Sequence, residues 1–178
     1  EVPFVDGGVF GKSVHKDLAC NECHADVDPD DLPHAEDLKS VYCGGCHGDQ
    51  QLDFGASIHG QALNRKQPYA PSCKDCHGVH DIFSPSDARS VAYKMKVPYL
   101  CGQCHREGAP VASTYEISEH NILENYSESI HGEGLFKKGL IVTAACTDCH
   151  RAHLILPLLG GTAGERPDDA EHERIRQV

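Results

Sequence analysis

The pentapeptide Cys20-Asn21-Glu22-Cys23-His24 occurs five times in this chain, with changes only at its two inner positions. The other four copies begin at Cys43, Cys73, Cys101 and Cys146. Together the five copies contain all 10 cysteines of the 178-residue chain. Because no cysteine is left over, the chemistry of this motif decides both the class of the protein and the nature of its interior.

The spacing C-x-x-C-H is the attachment signature of c-type haem. Two thiols three residues apart, on a tight helical turn, can bond to the two vinyl groups of one porphyrin. The next residue then points its imidazole at the iron. The sequence therefore predicts five haem c groups. The attaching cysteines are Cys20, Cys23, Cys43, Cys46, Cys73, Cys76, Cys101, Cys104, Cys146 and Cys149. The proximal iron ligands are His24, His47, His77, His105 and His150.

Three other uses of paired cysteines compete with haem. Zinc ribbons combine two C-x-x-C pairs into one four-ligand site, but five pairs is an odd number and zinc does not require a histidine after each pair. Disulfide frameworks occur in secreted chains, but they do not repeat one pentapeptide. A thioredoxin-like redox site needs a single C-x-x-C. The repeated motif therefore favours haem.

The composition agrees with a haem-filled interior. Leu, Ile, Val and Phe make up only about a fifth of the chain, the range in which a strongly charged chain is expected to be disordered. The formal net charge is −11, which counts against nucleic-acid binding. The longest apolar run, 154–159, is interrupted by Pro157 and is too short to span a membrane. We expect a mostly irregular chain with short α-helices, a haem-filled core and little or no β-sheet.

The chain also repeats itself on a larger scale. Ser57-Ile58-His59-Gly60 recurs at positions 129–132, and each copy precedes a motif extended to C-x-D-C-H-x-x-H. A shortened copy starts at Ser13, and simpler motifs beginning Cys-Gly lie between the units. We predict a pentahaem domain over 1–160, with dihaem-like repeats at about 13–56 and 57–128, a half repeat at 129–160, and a polar, helical tail at 161–178.

Eight histidines lie outside the motifs and are available as distal iron ligands. The repeat selects the best candidates, which are His59, His80, His131 and His153. His15 comes next, because it occupies the S-x-H place in the shortened copy. His34 and His120 are in reserve, and His172 is the least favoured. A surface or hydrogen-bonded role competes for each of them. Met95 is the only methionine and reads as a packing residue, so we expect all five irons to be bis-histidine ligated and of low potential.

From Ser13 to Ile155 the sequence resembles the multihaem c-type cytochromes. The resemblance implies electron transfer, either as a periplasmic shuttle or as an extracellular conducting filament of stacked subunits, with redox proteins or extracellular acceptors as partners. Export follows because haem c is normally attached outside the cytoplasm. An oxidoreductase with one open iron is the alternative of another class. Such enzymes often replace a motif histidine by lysine, and none of the five motifs departs in that way.

Four segments outside the motifs carry secondary-structure predictions. Residues 2–10 are the most strand-like part of the chain. Residues 87–96 and 117–129 are predicted to be helical, and so is the tail after Pro167, where two acidic residues follow the proline and arginines lie near the end. The first residues, Glu1-Val2-Pro3, look like the start of a processed chain, and no signal peptide is evident.

Overall fold

The structure is a computed structural model that describes residues 5–28, 30–31, 37–115 and 121–156. Within these ranges the chain forms short helices joined by turns. They are α1 (Gly7–Phe10), α2 (Cys20–Cys23), a 3-10 turn (Cys43–Gly45), α3 (Gly48–Ala56), α4 (Ile58–Asn64), α5 (Cys73–His77), α6 (Val97–Gly102), α7 (Pro110–Thr114), α8 (Ile122–Glu128), α9 (Ile130–Gly132), a π turn (Glu133–Lys137) and α10 (Cys146–His150). In the same ranges the only β-type pairing is an isolated bridge between Arg106 and Asn121. The expectation of short helices without sheet is confirmed.

Two of the local predictions were wrong. Residues 7–10 form α1 rather than a strand, because the Asp6 side chain accepts hydrogen bonds from the amides of Gly8 and Val9 and so caps a helical turn. Residues 87–96 form consecutive turns, and the helix begins only at Val97. The Asp87 carboxylate accepts a hydrogen bond from the amide of Arg89 at 2.8 Å, a local side-chain-to-backbone bond that favours a turn over a helix.

The helical prediction for 117–129 holds over Ile122–Glu128, while 116–120 lie outside the described residues. The N-terminal part of the strand-like segment, residues 2–4, and the predicted tail helix also lie outside the described residues. No described helix is long and apolar enough to cross a bilayer.

The protein part of the core is small. In the described residues the buried apolar side chains are Val97, Ala109, Leu135, Ala145 and Leu154. Leu135 lies on the π turn beside Phe136, whose ring contacts those of Tyr99 and Tyr126 at 5.0 and 5.8 Å between centres. Many larger apolar residues are exposed, among them Val142 at 87% and Ile130 at 81%. A chain that buries so little of its own apolar surface needs another apolar body in its interior.

Candidate haem centres

Four of the five motifs begin helical turns, whereas the fourth begins at the C-terminal end of α6. In the first, third and fifth motifs the third position is acidic, and its carboxylate accepts a hydrogen bond from the amide that precedes the first cysteine. These bonds are Ala19 N to Glu22 (2.6 Å), Ser72 N to Asp75 (2.7 Å) and Ala145 N to Asp148 (2.7 Å). The two Cys-Gly motifs carry Gly45 and Gln103 at this position. The acidic residue therefore stabilises the turn that presents both cysteines of its own motif.

A different local construction positions the histidines that lie before the motifs. Ser57 ends α3 and caps α4: its hydroxyl donates to the carbonyl of Phe54 at 2.7 Å and accepts from the amide of Gly60 at 3.0 Å. Ser129 repeats both bonds with Tyr126 and Gly132, at 2.7 and 3.2 Å. The backbone angles of the two serines agree within 2°. Each serine thus breaks a helix and restarts it one residue before the histidine.

Glycine is required after the histidine in both copies, because the helix that begins at the serine lies too close to the end of the preceding helix for a side chain to fit. A Cβ on Gly60 would lie 1.9 Å from the carbonyl oxygen of Phe54, and one on Gly132 would lie 2.0 Å from that of Tyr126. The shortened copy keeps the serine: Ser13 N bonds to the carbonyl of Phe10 at 2.8 Å. All three copies therefore have an aromatic residue three positions before the serine, a signal in the sequence that the sequence analysis missed.

The turn after the motif histidine reverses the chain in the two extended motifs. Gly78 has φ 83° and ψ −169°, and Arg151 occupies the equivalent position with φ 67° and ψ 171°. Only glycine adopts this region without strain. The reversal carries His80 and His153 away from the motif histidines that precede them, toward other motifs.

Four histidine pairs face each other across a gap of nearly constant width. In each pair one ring belongs to a motif and the other is one of the predicted distal ligands. The distances between ring centres are 5.9 Å for His15 and His47, 6.1 Å for His24 and His80, 5.9 Å for His59 and His105, and 6.0 Å for His77 and His153. The structure thus brings four predicted distal histidines opposite four different motifs.

These separations fit a haem iron between the rings. A metal–imidazole bond of about 2 Å on each side, together with the distance from each nitrogen to its ring centre, places the two ring centres about 6 Å apart. Burial lowers the pKa of His59, His77 and His105, with smaller contributions from neighbouring imidazoles. Each ring is therefore held in the neutral form, which is the form that binds a metal.

The attachment cysteines of successive motifs lie next to each other. Burial and then the Cys73 thiol raise the pKa of Cys43. Cys23 of the first motif makes a smaller contribution in the same direction. The Cys146 thiol and burial raise the pKa of Cys101, and the Cys101 thiol lowers that of Cys146 to about 7.

Contacts between the third and fourth motifs complete the series. Burial and Asp75, then Cys104 of the fourth motif, raise the pKa of Cys76. The motif histidines follow the same order, since His47 contributes to the lowered pKa of His77 and His150 contributes to that of His105. Each of these influences links a motif to the one before or after it in the sequence, which indicates a row in sequence order with the first and fifth motifs at its ends.

The remaining predicted ligands are placed differently. Among the described residues no histidine ring faces His150 in the way that the four pairs face each other. His131 has the same helix-restart construction as His59, yet it is exposed and, within the described ranges, faces no motif histidine. His34, His120 and His172 lie outside the described residues. All ten cysteines are free of disulfide bonds.

A family model described as "Cytochrome c3" matches residues 13–106, slightly more than half of the chain. The chain belongs to the cytochrome c3 family. It is also 27% identical, over 96 residues, to a protein named "Cytochrome c3, 26 kDa" from Desulfomicrobium norvegicum. That alignment covers 54% of this chain and 74% of the relative. No solved structure matches the chain significantly. As a member of the cytochrome c3 family, the chain is a multihaem c-type cytochrome and an electron carrier.

Proposed function

We propose that this cytochrome conducts electrons through five covalently attached haems, one at each motif. In this proposal the ten motif cysteines hold the porphyrins and the five motif histidines bind the irons from one side. Four distal histidines close the other side: His15 at the second motif, His80 at the first, His153 at the third and His59 at the fourth. When bound, the haems supply the one-electron chemistry, and the protein sets their ligands, order and burial.

The single observation that carries this proposal is the set of four facing imidazole pairs. Sequence repeats alone give candidates, but a common separation near 6 Å, reached by residues from distant parts of the chain, is what bis-histidine ligation requires. An iron with two imidazole ligands has no position left for a substrate. The arrangement therefore supports electron transfer over an oxidoreductase with an open iron at these four motifs.

The row of motifs supports a conduit with two ends. The cysteines of neighbouring motifs influence each other's pKa, so electrons entering at one end would have a short route to the other. Cys20 and Cys23 of the first motif and Cys149 of the fifth are exposed, as are cysteines of the second and fourth motifs, so redox partners can approach the row at its ends and also between them. Our proposal includes export to the periplasm or beyond.

Two forms of this conduit differ in their assembly. Subunits stacked end to end would continue the row as an extracellular filament, whereas a monomer would act as a soluble shuttle. Sedimentation of the haem-loaded protein at micromolar concentration separates the two forms. A single species of about 20–25 kDa that is independent of salt and concentration supports the shuttle. Such a monomer is expected if the acidic chains repel one another.

Intact mass spectrometry tests the central proposal. The mass should exceed that of the polypeptide by five haem groups, and the increase should survive acid-acetone extraction. The ferric protein should show low-spin spectra from at least the four paired centres. Loss of the haem on extraction, a count other than five, or a predominantly high-spin spectrum would each contradict the proposal.

A further inference from the structure

The segments with the pattern S-x-H make a backbone contact as well as facing a motif histidine. The amide of Val14 donates to the carbonyl of Ile82 at 2.9 Å, and the amide of Ile58 donates to the carbonyl of Ile155 at 3.0 Å. Both acceptors lie two residues after the second histidine of an H-x-x-H segment. The same relationship thus occurs twice, between different parts of the chain.

Each of these junctions has three parts that occur together. At the first, Val14 bonds to Ile82, His15 faces His47 of a Cys-Gly motif, and His80 faces His24. At the second, Ile58 bonds to Ile155, His59 faces His105 of the other Cys-Gly motif, and His153 faces His77. An S-x-H segment is therefore covered by a Cys-Gly motif and an H-x-x-H segment that both lie later in the sequence.

The third S-x-H segment has the same construction without this cover. Ser129 caps α9 as Ser57 caps α4, so His131 and the amide of Ile130 are presented in the same way as His59 and Ile58. Among the described residues nothing accepts a hydrogen bond from the Ile130 amide. Ile130 is 81% exposed, against 39% for Ile58 and 56% for Val14.

An exposed apolar turn at 139–143 packs against the π turn that follows His131. The turn at 139–143 is held against the π turn by a bond from Leu140 N to Gly134 O at 2.9 Å. Leu140, Ile141 and Val142 are exposed by 46, 49 and 87%. Such a surface next to an exposed imidazole suits the flat apolar face of a porphyrin.

We propose that the surface formed by Ile130, His131 and the 139–143 turn docks a further c-haem unit, and that His131 becomes the distal ligand of a haem on a Cys-Gly motif of that unit. The inference rests on the proposed function, because it extends the ligation proposed for the two covered junctions to a third one. The second histidine of the unit's H-x-x-H segment would complete the centre of His150, as His80 and His153 do for the first and third motifs.

A second copy of this chain does not fit the surface. In the described parts of a copy, both H-x-x-H segments and both Cys-Gly motifs already serve its own junctions. Its first motif carries Val27 where the extended motifs have their second histidine. The occupant is therefore a unit other than the described part of this chain, and it carries a Cys-Gly motif and an H-x-x-H segment of its own.

A haem peptide tests the role of His131 directly. The probe is the sequence of residues 101–105 with one c-type haem attached and its N-terminus acetylated, so that its sixth iron position is open and its own amine cannot bind. It is titrated into the haem-loaded protein at low micromolar concentration. Difference spectra should show the probe converting from high spin to low spin with a stoichiometry of one. In His131→Ala the affinity should fall at least tenfold, whereas His172→Ala should bind as the wild type does.

The spectrum of the protein before the probe is added tests the proposed function separately from the role of His131. Missing haems or high-spin paired centres at that stage would refute the proposed function itself. With those centres intact, the inference is overturned if the wild type does not bind the probe, or if His131→Ala binds it equally well. It is also overturned if the wild type forms dimers that His131→Ala abolishes, because the occupant would then be a second copy.

Discussion

The imidazole rings of His59 and His105 face each other with their centres 5.9 Å apart, although one lies on α4 and the other follows the fourth motif. Burial lowers the pKa of both rings and keeps them neutral. His59 belongs to the S-I-H-G repeat, whereas His105 belongs to a Cys-Gly motif. Such a histidine therefore does not face the motif nearest to it in the sequence.

The first prediction concerns this pair. In His59→Ala one haem should become five-coordinate or water-bound, with a high-spin band, a raised potential for that haem and new affinity for carbon monoxide. His131→Ala is the matched control, since it removes the equivalent histidine of the next copy and should leave the spectrum of the isolated protein unchanged. Visible and electron paramagnetic resonance spectra make the comparison. A wild-type spectrum for His59→Ala would refute the assignment of the pair.

The second prediction concerns the glycine of S-I-H-G. In Gly60→Ala the new methyl group would overlap the carbonyl of Phe54, so unfolding should become easier by about 1–3 kcal/mol, as for other overpacked sites. Gly132→Ala should behave likewise against Tyr126. Gly55→Ala is the control, because a Cβ there meets nothing within 4 Å and alanine favours the helix by about 0.5–1 kcal/mol. Denaturant unfolding of the haem-loaded variants measures the difference, and equal stabilities would contradict the argument.

A third prediction follows from the acidic residue inside the extended motifs. Asp75→Asn should weaken the cap of its turn by about 1 kcal/mol, the usual size of a lost capping interaction. A smaller fraction of the protein should then carry all five haems. Gln103→Ala is the control at the same position of a Cys-Gly motif. Mass spectrometry gives the haem count of each variant and thermal unfolding gives its stability.

The effect of Asp75 should also depend on pH. The hydrogen bond from the Ser72 hydroxyl holds the pKa of Asp75 below its usual value. The carboxylate therefore stabilises the folded state fully above the unfolded pKa of about 3.9, and this contribution is lost as the pH falls through the lower folded pKa. The stability difference between wild type and Asp75→Asn should shrink over that acidic range. A difference that stays constant down to the lowest pH would show that the charge of Asp75 is not involved.

The fourth prediction concerns the turn that follows the fifth motif. Arg151 has the backbone conformation that Gly78 has after the third motif, and a side chain there costs about 1–3 kcal/mol. Arg151→Gly should therefore raise the stability of the protein. Gly78→Ala should lower it, because the position is strained and a Cβ would also meet Asp81 at 2.6 Å. The thermal unfolding temperatures of the two variants should shift in opposite directions. A loss of stability in Arg151→Gly would show that Arg151 is not strained.

Much of this protein could be predicted from its sequence because its chemistry is local. Two thiols and an imidazole within five residues are held together by the chain itself, so C-x-x-C-H indicates haem without any knowledge of the fold. The shortage of large aliphatic residues required another apolar body in the interior. The S-I-H-G repeat selected His59 because a serine cap and a close-packed glycine are made by neighbouring residues.

The partners of these histidines, by contrast, were decided by the tertiary structure. Which ring faces which motif depends on how distant segments return to each other, through bonds such as that between Ile58 and Ile155. The row of five motifs likewise follows from contacts between residues far apart in sequence, such as Cys101 and Cys146. Local pattern predicts a haem at each motif, whereas only the packing of distant segments decides which imidazole faces the motif histidine and which motifs lie beside it, because both depend on contacts that no single stretch of sequence contains.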